Sequence, residues 1–486
     1  MTYDLLIIGG GINGCAIARE ASLLGLKVLL VERDDLASHT SSASTKLIHG
    51  GLRYLEYYEF RLVAEALRER ERLLKAAPHL IHPLTFVLPQ ENAVRPWWMV
   101  RIGLYLYDIL GGKMSLPRSR GLRKGDTAYT TPLKGGRRGF VYSDAQTDDS
   151  RLTVLNAIDA RDNGAEIITG VALESARREG DVWRARLSDG RTVEARALVN
   201  AAGPWVHLLL EKLEVNAKSN VRLVKGSHIV VPKLFEGDHA YMLQLPDRRI
   251  IFAIAWQGQT EIGTTDIPVE LPEDAQITPQ EIAYLCEGIN HHFKKQINPA
   301  DVTSSWSGVR PLYDDGASEA KAVTREYVLE LDTAGDSGGP PLLSVFGGKI
   351  TTARHLAEEA MGKLGPAMGV AVHPATRARI FPGGAIANFG DFVAQVSVTW
   401  PFLGEARATR MAHAYGTMLT DMLDGVIDEA GMGADLGGGL TEMEARWMRD
   451  REWARTAADA LDRRSKIGLT LTSEQRAAFE GAWARL

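Results

Sequence analysis

Apolar positions along the chain fall into two textures. Near the start they form short runs. Tyr3 to Ile8 is one, the loop GGGING ends it, a helical stretch from about Cys15 to Leu24 follows, and after Gly25 a second run spans Leu26 to Val31. Two short apolar runs around a helical stretch predict a βαβ unit and therefore a parallel sheet. Further on, AEIITGVALESARREGDVWRARLSDGRTVEARALVNAAG reads as successive strands turning at Glu179-Gly180 and Asp189-Gly190, with LVNAAG returning to the first sheet. Val221 to Asp266 is strand-rich, PDRR forms a hairpin turn between YMLQL and IIFAIAW, and Trp306 to Leu331 adds strand signal. PLLSVFGGKITTARHLAEEAMGKL predicts strand, glycine turn, helix. After Pro382 the texture changes to helical spacing, as in EARATRMAHAYGTMLTDML and EMEARWMRDREWARTAADALDRR, which predicts a separate helical domain.

One stretch fits neither texture. RPWWMVRIGLYLYDILGGKMS, Arg95 to Ser115, is too interrupted to span a bilayer and too apolar for an exposed loop. As a helix it gathers Trp98, Met99, Ile102, Tyr105, Leu106, Ile109 and Leu110 on one broad face, with Arg101 and Asp108 on the other. Charge sharpens the picture. From Arg95 to Arg138 there are ten Lys/Arg and two Asp/Glu, a local +8 in a chain whose total is −5, leaving −13 for the remainder. A basic, aromatic amphipathic helix predicts a monotopic anchor on an anionic lipid surface. The alternative is burial in the core or in a homodimer interface. The overall negative charge gives no reason to expect a nucleic-acid partner. Cys15 and Cys286 are the two cysteines, far apart and outside any metal-binding spacing, so no disulfide framework or metal site is expected and a reducing compartment is. The N-terminal run leads straight into the glycine loop without a basic flank, which predicts a strand and no signal peptide.

The chemistry starts at that loop. Gly9-x-Gly11-x-x-Gly14 lies between predicted strand and helix, and Glu32 closes the second strand. Glycines allow the tight turn and close approach to a pyrophosphate, the helix N-terminus offers N–H groups and a positive dipole end, and an acid at this distance accepts from ribose hydroxyls. No second clear fingerprint follows, which points to a resident FAD. LVNAAGPW (Leu198 to Trp205) returns small residues beside it, and VFGGKITT aims a helix N-terminus at the flavin edge where negative charge develops. TSSASTKLIHGGLRYLE, Thr40 to Glu56, would run along the cofactor toward its flavin end.

Together IIGGGINGCAIA, TSSASTKLIHGGLRYLEYYEFRLVAEAL, LVNAAGPWV, KGSHIVV, IGTTD, SGVRPL and LLSVFGGKITT closely resemble the aerobic, FAD-dependent, membrane-associated glycerol-3-phosphate dehydrogenases, in order from residue 1 to about 360 and more loosely beyond. Ala202 departs from the pattern, standing where a threonine is expected. The resemblance implies an α/β fold with a Rossmann-like FAD-binding domain of the glycine/D-amino-acid oxidase type, an antiparallel-sheet substrate domain and a helical C-terminal domain. The expected division is 1–82, 141–220 and 335–375 for FAD, 83–140 and 221–334 for substrate and membrane contact, and 376–486 for the tail. FAD would be noncovalent and touch Gly9, Gly11, Ile12, Asn13, Gly14, Glu32, Arg33, Thr40, Ser41, Ser42, Ser44, Lys46, Leu47, His49, Val171, Ala201, Gly203, Trp205, Gly347, Gly348, Lys349, Ile350 and Thr351. The implied reaction oxidises sn-glycerol 3-phosphate to dihydroxyacetone phosphate, with electrons passed to a membrane quinone on the cytoplasmic face of the cell membrane. An O2-using glycerophosphate oxidase and an FAD-dependent amino-acid oxidase are the alternatives. A dianionic substrate needs cations. Arg53, Tyr54 and Arg325 are expected at its phosphate, Arg310 and Lys349 near the reacting carbon, and Thr265 as a hydrogen-bond donor. Arg310 stays protonated, so His49 and His228 are the candidate bases.

Overall fold

The computed structural model describes residues 2–90, 95–135, 138–314, 326–335 and 338–486. Two sheets form its body. In the first, the strands run in the order Val328–Asp332, Leu342–Phe346, Thr192–Asn200, Thr2–Ile8, Val28–Glu32, Glu166–Thr169. All these neighbours are parallel except the first pair, and a hairpin of Leu173–Glu179 and Val182–Leu187 hangs from Thr192–Asn200. The first run is apolar without polar alternation because both faces of its strand are covered. Leu5 and Ile7 pack with the helix Ile12–Leu23, while Leu6 and Ile8 pack with Trp183 and Leu198 on the other side. That helix is buried all round, and its Arg19 donates to Asp159 at 2.6 Å.

The second sheet runs Ile267–Pro268, Val221–Pro232, Gln259–Gly263, Ile250–Trp256, Ala240–Gln244, Ile81–Pro89, Gly139–Thr147, Leu47–Ile48, and Ser304–Tyr313 pairs with Val221–Pro232. Its pairings are antiparallel except that between Ala240–Gln244 and Ile81–Pro89. Three strands cross the expected domain boundaries. Leu47–Ile48 and Gly139–Thr147 belong to the second sheet, and Val328–Asp332 to the first. The chain thus passes between sheets inside what sequence texture reads as single segments, because strand pairing is a long-range choice that local pattern does not carry.

After residue 381 the chain folds as helices around their own core of Val396, Met411, Tyr415, Met448 and Phe479. The helices include Phe389–Thr399, Gly404–Tyr415, Glu442–Glu452 and Ser473–Trp483. The helix Trp97–Leu110 lies on the second sheet through Leu104 and Tyr107, both buried. Among the described residues no helix is long and apolar enough to cross a membrane.

Candidate active site

The loops that leave the C-terminal ends of four parallel strands converge. Gly9 follows Thr2–Ile8, Ala201 follows Thr192–Asn200, Gly347 follows Leu342–Phe346, and Val171 comes just after Glu166–Thr169. In open α/β sheets this end is where ligands sit. A cavity of about 720 Å³ opens there and is closed from the far side by the second sheet, through Gly226, His228 and Arg310.

The glycine loop is built for close approach. Gly9 has φ of +114°, and a Cβ on Gly14 would lie 2.0 Å from the Gly9 carbonyl oxygen, so helix and loop come together only without side chains there. The helix begins at Gly11 with no capping side chain and no acid in its first turn, and Ser41 Oγ, 2.9 Å away, accepts from the Ile12 N–H. Apart from that Ser41 contact the helix N-terminus has no side-chain cap, and facing a cavity it suits an anion such as a pyrophosphate. Glu32 is buried with both oxygens in use, accepting from Gly10 N at 2.6 Å and Asp34 N at 2.8 Å, and burial raises its pKa against those two hydrogen bonds. Glu32 lines the cavity beside the loop, and each carboxylate oxygen can accept a further hydrogen bond. Asn13 donates to the Gly347 carbonyl at 3.2 Å and so ties the first glycine turn to the second, while its Oδ1 is buried without a partner among the described residues. Thr40 donates to the Val309 carbonyl at 2.6 Å and fixes the serine-rich loop against the second sheet. At the outer end Arg33 lies 4.2 Å over the Trp205 ring, beside His39.

The inner end is cationic. Arg310 donates to Asp266 Oδ1 at 2.7 Å and to the Thr265 carbonyl at 3.0 Å, which holds the guanidinium in place. Lys349 sits with its ammonium 4.1 Å over the Tyr54 ring. Burial, with Lys349 assisting and Asp144 opposing, keeps His49 below the usual imidazole range. His228 is held well below it by burial, then by Lys46 and Arg310, so its imidazole is neutral at neutral pH.

Most of the expected cofactor residues line this one cavity: Gly9, Gly11, Ile12, Asn13, Glu32, Arg33, Thr40, Ser41, Ser44, Leu47, His49, Val171, Ala201, Gly203, Trp205, Gly347, Gly348, Lys349, Ile350 and Thr351. Gly14 lies behind the loop as its packing partner. Two more of the expected residues lie outside the lining of this cavity. Lys46 turns away from the cavity, where its ammonium meets Asp149 at 3.4 Å, and Ser42 donates to the His39 carbonyl at 3.2 Å on the far side of the loop. Loop sequence alone does not say which of successive side chains face inward. Of the expected substrate residues, Tyr54, Arg310 and Lys349 line the cavity. Arg53 lies outside its lining, half-buried on the turn Leu52–Tyr57. Thr265 is buried behind it, donating to Glu281 at 2.9 Å and accepting from Ser227 N at 3.0 Å, and the adjacent Thr264 lines the cavity instead. Arg325 lies outside the described residues. Sequence reasoning left Thr264, Gly226 and Gly308 unassigned, and two adjacent threonines carry no signal of which faces the site.

These residues fit FAD: a glycine cradle, a helix N-terminus with no acid in its first turn, Glu32 at its edge and a second glycine turn at the far end. The chain matches the family model of FAD dependent oxidoreductase over residues 4–354. It is 51% identical to a glycerol-3-phosphate dehydrogenase of Pseudomonas aeruginosa, covering 98% of this chain and 93% of that one. It is 49% identical to a D-erythritol 1-phosphate dehydrogenase of Brucella abortus, covering 98% and 97%. Among solved structures, the glycerol-3-phosphate dehydrogenase from Bacillus halodurans complexed with FAD superposes with a TM-score of 0.75 at 26% identity, covering 100% of this chain and 94% of that one. Glycine oxidase from Geobacillus kaustophilus shares the fold, with a TM-score of 0.53 at 20% identity.

 That match spans 76% of this chain and 96% of the oxidase. The chain belongs to the FAD-dependent oxidoreductases and, within them, to the family of the glycerol-3-phosphate dehydrogenases.

Proposed function

We propose that this chain oxidises sn-glycerol 3-phosphate to dihydroxyacetone phosphate and passes the electrons to a membrane quinone. The observation that carries the reading is one cavity joining a dinucleotide cradle to a cluster of Arg310, Lys349, Tyr54, His49 and His228. FAD, when bound, supplies the acceptor for the hydride from C2. The chain's own residues do the rest. Arg310, fixed by Asp266, and Lys349 sit where they stabilise the negative charge that develops on the C2 oxygen. Arginine does not give up its proton, so the hydroxyl proton goes to neutral His228, with His49 as the second imidazole of the site. Tyr54 stands toward the phosphate. Arg325 is assigned there from its motif alone, and Arg53 from the resemblance.

The same reading makes the body a discontinuous FAD domain and a substrate domain, with the helical tail as a third unit. It also holds the protein on the cytoplasmic face of the membrane through the helix Trp97–Leu110. Trp97, Trp98, Met99, Ile102, Tyr105 and Ile109 of that helix are all exposed, Trp98 at 59%. The neighbouring turn adds exposed Tyr57 and Tyr58, and Phe60 follows at the start of the next helix. Arg95 pairs with Glu56 between the turn and the helix. Clustered exposed aromatics of this size support a lipid-facing patch.

The test is anaerobic. Purified holoprotein should be yellow and bleach on addition of glycerol 3-phosphate but not glycerol. Absence of bleaching would overturn the reading. The 49% identity to a D-erythritol 1-phosphate dehydrogenase supports a second substrate reading, so the two phosphates are compared side by side, and the larger kcat/KM decides. Reoxidation by a long-chain quinone faster than by O2, without hydrogen peroxide, separates the dehydrogenase from the oxidase.

A further inference from the structure

Behind His228 lies a cluster of buried polar side chains that the site above does not use. His228 stands on the strand Val221–Pro232 opposite Gly263, and Val230 on the same strand stands opposite Glu261. Directly paired residues share a face, so Glu261 and His228 project to the same side of the sheet. Gly263 has no side chain to separate them, and a Cβ there would lie 1.9 Å from His228 Cδ2. The imidazole therefore lies down over the glycine, with Nε2 2.9 Å from Thr45 Oγ1 and 4.0 Å from Glu261 Oε1. On its other side it stacks on Trp306, with ring centroids 5.3 Å apart.

Glu261 is fully buried, and among the described residues neither of its oxygens accepts a hydrogen bond. His228 Nδ1 and the indole nitrogens of Trp256 and Trp306 are likewise buried without partners there. A buried carboxylate in this state is costly unless it binds a proton or ordered water. Lys46 lies 4.3 Å over the Trp306 ring and 5.8 Å from that of Trp256, and it pairs with Asp149, which Lys466 from the tail also meets at 2.9 Å. Lys46, Trp306 and Lys466 also line a second cavity of about 420 Å³. The cluster therefore reaches from the active-site imidazole to residues that line the second cavity.

We propose that Glu261 is the relay that takes the substrate's hydroxyl proton from His228 and passes it toward the second cavity. The inference rests on the alcohol-oxidation reading above. The balance is a proton transfer alone. As the hydride leaves C2 with its electron pair, the hydroxyl proton binds His228 Nδ1. The proton on Nε2 crosses to Glu261 through one bridging water, since 4.0 Å exceeds a hydrogen bond. Imidazole returns to its neutral form with its tautomer switched, so a cation never accumulates beside Arg310. Burial raises the Glu261 carboxyl to about 7, with Asp149 adding to the rise and Lys46 and Lys466 opposing it. The charged groups facing the pair are thus Lys46 and Asp149, which act on both, with Lys466 acting on Glu261 and Arg310 on His228. Glu261 accepts a proton only above that pH, so the reduction rate should rise with pH through about 7.

The experiment follows anaerobic flavin bleaching of the holoprotein by glycerol 3-phosphate against pH, for the parent, Glu261→Gln and Glu261→Asp. Support is a Glu261→Gln variant with full FAD content, at least tenfold slower bleaching at pH 8, little change in KM, no rise near pH 7 and a larger solvent deuterium isotope effect. Glu261→Asp should restore part of the rate and regain a pH limb. A merely structural role would alter flavin content or stability and leave the limb in place. If Glu261→Gln does not retain flavin, infrared difference spectra of the parent decide, since a new buried carboxylic-acid C=O band on reduction supports the relay and its absence overturns it. A parent that bleaches while Glu261→Gln keeps both rate and limb overturns the relay alone. A parent that does not bleach overturns the functional reading and the relay with it.

Discussion

The helix Trp97–Leu110 and the helical tail are both amphipathic in sequence, yet they meet the body in opposite ways. The first buries Leu104 and Tyr107 on the second sheet yet turns Trp98, Ile102, Tyr105 and Ile109 outward. Arg101 donates to Ser119 Oγ at 2.9 Å, and Asp108 accepts from the Ser119 N–H and hydroxyl, so its charged residues hold a loop of the protein. The tail buries its apolar residues in its own core and docks through charge. Arg464 is fully buried and grips Asp35 with both terminal nitrogens, at 2.8 and 2.7 Å, and Arg463 adds a third contact at 2.6 Å. Lys466 reaches Asp149, whose other oxygen accepts from the Ser44 N–H and hydroxyl in the loop along the cavity. Arg151 pairs with Glu452, and Arg455 donates to the Thr169 carbonyl at 3.0 Å. Amphipathicity says that a helix has two faces. It does not say which one meets the protein.

The largest effect should come from the buried charge of the tail. Arg464→Ala leaves Asp35 without its main partner and should cost about 3–5 kcal/mol. Thermal unfolding and flavin content both report it, because Asp35 follows Glu32 by three residues at the cofactor loop. A loss below about 1 kcal/mol would mean that the tail does not dock through this pair. Next is the tail's own core. Met411→Ala removes a fully buried side chain and should cost about 2–5 kcal/mol, read by denaturant midpoint, with flavin absorbance falling only when the tail unfolds.

Acid should loosen the same dock. The Lys46 and Lys466 ammoniums hold the Asp149 carboxyl well below the usual carboxylate range against its burial. A depressed pKa gives stability that is complete above the unfolded value, about 3.9, and is lost as pH falls through the folded one. Lys466→Met removes one of the two cations, so the folded value rises and acid unfolding should begin at higher pH than in the parent. An unchanged acid midpoint would show that Lys46 alone sets the charge on Asp149.

The smallest effect on stability is expected at the exposed helix. Trp98, Ile102 and Tyr105 changed together to serine should shift stability by only about 0.5 kcal/mol per site, since surface substitutions usually fall in that range. The same variant should leave anionic vesicles for the soluble fraction, keep its rate with a soluble dye and lose most of its rate with a long-chain quinone. In the parent, salt should release the protein incompletely, because it screens only the basic contribution of about 1 kcal/mol per Lys or Arg. If the triple variant unfolds instead, the helix is buried against a second copy and the comparison fails.

The sequence by itself determined the local devices. The apolar run, glycine turn, helix and terminal acid make the cradle from Gly9 to Glu32 wherever they occur, because turn geometry and helix N-termini are properties of adjacent residues. The same holds for the turn at Gly347 and Gly348 and for the change to helices after the body. Tertiary structure alone decided what those devices face. It turned Lys46 into a buried pair with Asp149, put Thr264 rather than Thr265 on the cavity, and moved Gly139–Thr147 into the second sheet and Val328–Asp332 into the first. It also set Glu261 beside His228 across two strands more than twenty residues apart in the chain. Strand register and loop direction come from pairings between distant segments, and a one-residue shift exchanges the two faces of a strand while leaving its local pattern unchanged.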